Sequence, residues 1–140
     1  MRASLALDMR ARGAILGGAV GDALGAPLEF MGTKEMRGRY GRYGVTGMVD
    51  SDHPVGAIGD ETQLSLFTMD ALIRAFQQCA DGGSCSGLNV TRRAYWRWLD
   101  TQGSSPKGID ESLYRNGWLV RSASMRLRRS PSPGCLIALE

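Results

Sequence analysis

Two groups of carboxylate-bearing residues stand out in the chain. The first is Gly21-Asp22-Ala23-Leu24-Gly25-Ala26-Pro27-Leu28-Glu29-Phe30, and the second is Gly59-Asp60-Glu61-Thr62-Gln63. Hard divalent cations take oxygen ligands, and a carboxylate–carboxylate–hydroxyl run in the first turn of a helix supplies three at close range. The pair therefore predicts a Mg²⁺ site, with Mn²⁺ as an alternative, and hydrolytic chemistry rather than redox or nucleic-acid work.

The helices that must position these groups are legible from periodicity. Ile15, Ala19 and Ala23 recur at fourfold spacing, with Leu16 and Val20 widening the stripe, so a helix is expected from about Asp8 to Leu24. Gly13, Gly17, Gly18 and Gly21 lower its propensity, and the expected reason is a close approach to the backbone. Pro27 ends it and leaves Glu29 at the start of the next segment. Met31 to Gly59 shows no helical period and reads as a long functional loop.

A second helix is expected from Asp60 to about Gln78. Asp60 is placed as its N-cap, and Gln63 completes a capping-box pattern. Leu64, Phe67, Ala71 and Ala75 mark its apolar stripe, extended by Leu72 and Phe76. A third helix is expected from Thr91 to Thr101, with Tyr95, Trp98 and Leu99 inward and Arg92, Arg93 and Arg97 outward. A short fourth is expected from Asp110 to Leu119. Cys135 to Leu139 begins what reads as a buried helix without a C-cap, which predicts a truncated chain.

Composition agrees with a single globular domain, of which residues 1–140 are read as the N-terminal portion because the last helix is unfinished: 43% hydrophobic and 22% charged residues are ordinary for a globular protein. A net charge of +3 does not argue for nucleic acid. Arg37, Arg39 and Arg42 interleave with Tyr40 and Tyr43, but one short stretch reads as a solvated loop near a phosphate-bearing substrate. Cys79, Cys85 and Cys135 lack CxxC spacing and read as reduced thiols, and the single His53 argues against zinc. No targeting or membrane segment is visible, which predicts a cytoplasmic protein.

At these motifs the chain resembles the ADP-ribosylglycohydrolase family, including its dinitrogenase reductase-activating members. The Gly-Asp-Ala-Leu-Gly core followed by Glu is matched by Gly21 to Gly25 and Glu29. The Thr/Ser-Asp-Asp-Thr-Gln motif is matched by Gly59 to Gln63. A third motif is echoed by Arg129, Pro131, Cys135, Leu136, Ala138 and Leu139, and Tyr95 to Leu99 with Gln102-Gly103 is similar to bacterial members.

The resemblance implies an all-α fold, a binuclear Mg²⁺ (or Mn²⁺) centre, and cleavage of the N- or O-glycosidic bond of ADP-ribose. The partner would be an ADP-ribosylated protein or an ADP-ribose-containing small molecule. It also assigns roles: Glu29 as the catalytic acidic residue near the scissile bond, Asp60 and Glu61 as metal ligands, and Asp22 and Thr62 as supports behind them.

Three departures are visible. Gly59 stands where the family has a hydroxyl ligand, and Glu61 stands where it has Asp. The family's downstream Asp-x-Asp-Thr/Ser element and its Gly-rich diphosphate loop have no counterpart in these 140 residues. The alternative expectation is therefore a catalytically inactive fragment or structural member of the same fold.

Overall fold

The computed structural model describes residues 2–50, 53–83 and 86–140, with the side chains of residues 2–4 left out. The described residues form helices and no strand. In chain order they are α1 (Arg2–Gly25), α2 (Thr33–Tyr40), α3 (Asp60–Ala80), α4 (Gly87–Thr101), α5 (Trp118–Arg121) and α6 (Pro133–Leu139). Three short 3₁₀ turns, Ala26–Leu28, Glu111–Leu113 and Ala123–Arg126, lie between them. The all-α expectation holds.

The chain divides into two compact units, Met1–Thr62 and Gln63–Glu140. In the first, α1 runs straight into the 3₁₀ turn that contains Pro27, so the helix ends where proline forbids its continuation. The glycines of α1 do not serve close packing: a Cβ at Gly13, Gly17, Gly18, Gly21 or Gly25 would meet nothing within 4 Å. That expectation is overturned. The segment after Met31 also holds a helix, α2, where no helical period is visible. It spans only Thr33–Tyr40 and buries no residue, so no apolar stripe marks it. The guanidinium of Arg39 lies 5.4 Å from the Tyr40 ring centroid and that of Arg42 lies 4.7 Å from the Tyr43 ring centroid, within cation–π range.

The second unit has the larger core. Phe67 and Ala71 of α3 are buried, as are Val90, Ala94, Trp98 and Leu99 of α4. Tyr114, Leu119, Val120 and Met125 complete it from the segments that follow. Full burial of a side chain such as Phe67 or Leu99 contributes roughly 1.5–3 kcal/mol. The expected stripe on α3 is only half used: Phe67 and Ala71 are inside, while Leu72 and Phe76 are exposed.

At the centre of this unit lies the amide of Gln63. Its Nε2 donates to the carbonyl of Leu127 at 2.9 Å, and its Oε1 accepts from Trp98 Nε1 at 3.2 Å and Gln102 Nε2 at 3.1 Å. Gln63 therefore does not form the reciprocal half of a capping box. Its side chain satisfies buried polar groups that would otherwise be costly.

Arg97 is another departure. Helical spacing puts it outward, yet it is buried and its Nη2 donates to Asp70 at 3.0 Å. Asp70 also accepts from Arg74 Nε at 2.8 Å, so one buried carboxylate serves two guanidinium groups. A charged residue on the inner face is invisible to an apolar period.

The expected helix from Asp110 to Leu119 is broken. Asp110 caps a 3₁₀ turn by accepting the Ser112 amide at 2.8 Å, and Gly117, at φ 104°, separates that turn from α5. The last helix, α6, packs beside α4 but buries no residue, contrary to the buried helix expected there. Cys79 is disulfide-bonded, against the expectation of reduced thiols, and Cys135 is free and exposed. Cys85 lies outside the described residues. No single helix among the described residues is long and apolar enough to cross a membrane.

Candidate active site

The two acidic motifs meet within the first unit, and Asp22 joins them. It sits near the end of α1, three residues before the last helical position, with its side chain half-buried. Its Oδ2 accepts the backbone amide of Gly59 at 2.8 Å and that of Thr62 at 3.1 Å. The same oxygen accepts the Thr62 hydroxyl in a short hydrogen bond.

The Thr62 amide belongs to the first turn of α3 and that of Gly59 directly precedes it, where a helix has N–H groups without intrahelical partners. A carboxylate there is favoured twice, by hydrogen bonding to charge and by the helix dipole. Asp22 is thus the cap of α3, supplied from another helix. The local cap expected from Asp60 is corrected accordingly: Asp60 is the first residue of the helix. Asp22 and Thr62 are thereby held against each other at the start of α3.

Capping from a distance fixes where Asp60 and Glu61 point. Asp60 and Thr62 are both buried, while Glu61 is exposed. Glu61 and Glu29 line an open cavity of about 390 Å³, together with Asp22, Gly18, Gly25 and Ala26. Gly18 and Gly25 therefore have a use after all: without side chains they leave this wall open.

The electrostatics of the site register on Asp60. Its pKa is pushed from 3.8 up to about 6, first by burial, then by the negative charge of Glu61 and, more weakly, by that of Glu29. Glu61 and Glu29 are therefore both close enough to repel the Asp60 carboxylate.

Gly59 is the tightest point. A Cβ there would fall on Asp22 Oδ1 at less than any real contact distance, and 2.8 Å from Glu61 Oε2. The carboxylate of Asp22 occupies the space that a side chain at position 59 would need. A hydroxyl-bearing side chain at this position would therefore require the Asp22 carboxylate to move.

The donors can be tested against the cation that the motifs suggest. They are all carboxylate oxygens, the donor type a hard cation takes, and the repulsion felt by Asp60 is of the kind a cation relieves. Yet among the described residues no three Asp, Glu, His or Cys side chains converge to hold an ion. One oxygen of Asp22 is already occupied by three donors. The described residues do not enclose a metal by themselves.

A site of clustered carboxylates, seated on an all-α frame and capped in this way, is met by a direct comparison. The sequence matches the ADP-ribosylglycohydrolase family over residues 3–138, and the chain belongs to that family. No curated protein and no solved structure matches it.

Proposed function

We propose that the protein hydrolyses the N- or O-glycosidic bond between ADP-ribose and a modified protein or small molecule. The observation that carries this reading is the cavity of Glu29 and Glu61, buttressed by Asp22 and backed by Asp60. Cleavage at the anomeric carbon of ribose develops positive charge on the sugar. Carboxylates fixed beside that carbon stabilise the charge without having to reorganise. Glu29, exposed on the cavity wall, is the residue to orient a water and take its proton. Asp22 acts through α3 and touches no reacting atom.

Mg²⁺ or Mn²⁺ dependence stays part of the proposal as a requirement to be measured. No step is routed through a metal, because these residues do not enclose one. The proposed location is the cytoplasm. The disulfide at Cys79 stands against it, since structural disulfides are rare in that compartment.

The test is release of ADP-ribose from a mono-ADP-ribosylated protein, followed by mass spectrometry with Mg²⁺, with Mn²⁺ and with chelator. Glu29→Gln is expected to slow release by roughly 10²–10⁴-fold, the range of a lost general base. Release at the wild-type rate by that variant overturns the assignment of Glu29.

A second reading is favoured by one observation, the crowding at Gly59 together with the lack of three converging ligands. On this reading the chain is a non-catalytic member of the fold. It expects no release from any substrate and no change in melting temperature with Mg²⁺.

A further inference from the structure

The second unit contains a cavity that the proposed hydrolytic reading does not use. It has a volume of about 150 Å³ and is lined by Arg74, Arg93 and Arg97, the amides of Gln78 and Asn116, and Val90 and Leu113. No acidic side chain lines it. Three arginines therefore line one small space.

Among the described residues their carboxylate partner is Asp70, which holds Arg74 and Arg97. Arg97 is 96% buried by its side chain, with 4% exposure, and its Nε has no hydrogen-bond partner. A buried donor without an acceptor is costly, and a buried cation more so. The strain registers on Arg97, whose pKa is lowered first by burial and then by the charge of Arg74, against the opposing pull of Asp70; Arg93 adds further repulsion.

The walls are held in place. Arg74 Nη2 lies where a Cβ on residue 117 would be, at 2.6 Å, so Gly117 lets the guanidinium lie against the backbone. Asn116 Nδ2 donates to the Ser112 carbonyl at 2.8 Å, which leaves its second N–H for another acceptor. Arg93 is exposed and also lines the cavity.

We propose that this cavity binds a small oxyanion of the phosphate class. Arginine is suited to such groups, because its planar fork offers paired N–H donors to paired oxygens. A tetrahedral oxyanion has enough acceptors for several guanidinium and amide donors at once, and its charge relieves the mutual repulsion of the arginines. The cavity is well below the roughly 300–1,000 Å³ of a drug-sized pocket, so it takes a phosphoryl group and not a whole nucleotide. The site is independent of Glu29, Asp60 and Glu61, and the proposal does not rest on hydrolysis.

The experiment is thermal unfolding of the full chain in inorganic phosphate at constant ionic strength, balanced with chloride, alongside ³¹P line broadening. About 20 mM phosphate is expected to raise the Tm by about 3 °C over chloride. Arg93→Gln, at an exposed position that does not endanger folding, is expected to lose at least half of that rise and most of the broadening. Phenyl phosphate forms a second arm: if it acts like phosphate the natural ligand carries an ester, and if phosphate alone acts it is the free ion. Phosphate no better than chloride in the wild type, or an undiminished rise in Arg93→Gln, overturns the proposal.

Discussion

Asp22 and Thr62, forty residues apart in the chain, share one carboxylate oxygen: Asp22 Oδ2 accepts both the amide and the hydroxyl of Thr62. This contact turns a helix end into a fixed platform. The direction of Glu61 follows from it, because Glu61 lies in the turn that Asp22 caps.

Removing the cap should therefore cost more than removing an ordinary one. Asp22→Ala leaves the Gly59 and Thr62 amides and the Thr62 hydroxyl without their acceptor. Hydrogen bonds to a charged group contribute about 1.5–3 kcal/mol, and the expected loss of stability is roughly 2–3 kcal/mol in a urea titration. A loss below that of an average exposed N-cap, about 1 kcal/mol, would show that the contact is not structural.

Position 59 tests whether the site can accept the hydroxyl expected from the family resemblance. Gly59→Ser restores a hydroxyl, but its Cβ would displace the Asp22 carboxylate and press on Glu61. The expectation is a destabilisation of about 1–3 kcal/mol, typical of overpacking. A companion Asp22→Ala should lessen that cost, because it removes the atoms in the way. Strict additivity of the two substitutions would argue that they do not touch.

Asp60 sets a pH dependence whose sign is fixed. Its folded pKa, about 6, lies above the ordinary 3.8, so the folded state holds the proton more tightly than the unfolded one. The relative stability it contributes is fully present below 3.8 and is lost as the pH rises through about 6. Asp60→Asn removes this dependence, so the Tm of the variant should gain on wild type as the pH passes from 4 to 7.5, by roughly the pKa difference converted by linkage. Parallel Tm curves over that interval would remove Asp60 from the account.

Gln63 makes a prediction about the second unit alone. Gln63→Leu keeps the volume approximately but removes the acceptor for Trp98 Nε1 and Gln102 Nε2 and the donor for Leu127. A buried group left unpaired costs about 1–3 kcal/mol, so a total of roughly 2–4 kcal/mol is expected from denaturant titration. A neutral result would mean that water replaces the amide.

Much of this arrangement is legible in the order of residues. The helical class and the long helix after Gly59 follow from periodicity, and the two carboxylate-bearing motifs stand out by residue type. What stays hidden is each case where a polar residue works over a distance. Gln63 reads as a cap partner because a cap is a local pattern, whereas its real partners are Trp98, Gln102 and Leu127. Arg97 reads as solvated because helical spacing cannot tell that Asp70 waits on another helix. Helix α2 has no apolar stripe to announce it. The one available signal for the remote cap was Gly59 itself, a residue without a side chain at the point where the family carries one.

Trp98 has a practical consequence. It is fully buried with its indole N–H bound to Gln63, while Trp118 is 68% exposed and Trp96 carries the Arg92 guanidinium 5.0 Å from its ring. These three indoles differ in the polarity of their surroundings, so their emission should be separable by wavelength and by access to an aqueous quencher. The protein thus holds a built-in optical reporter: the quencher-resistant, blue-shifted share of its fluorescence belongs to Trp98, and its loss dates the moment the Gln63 amide lets go.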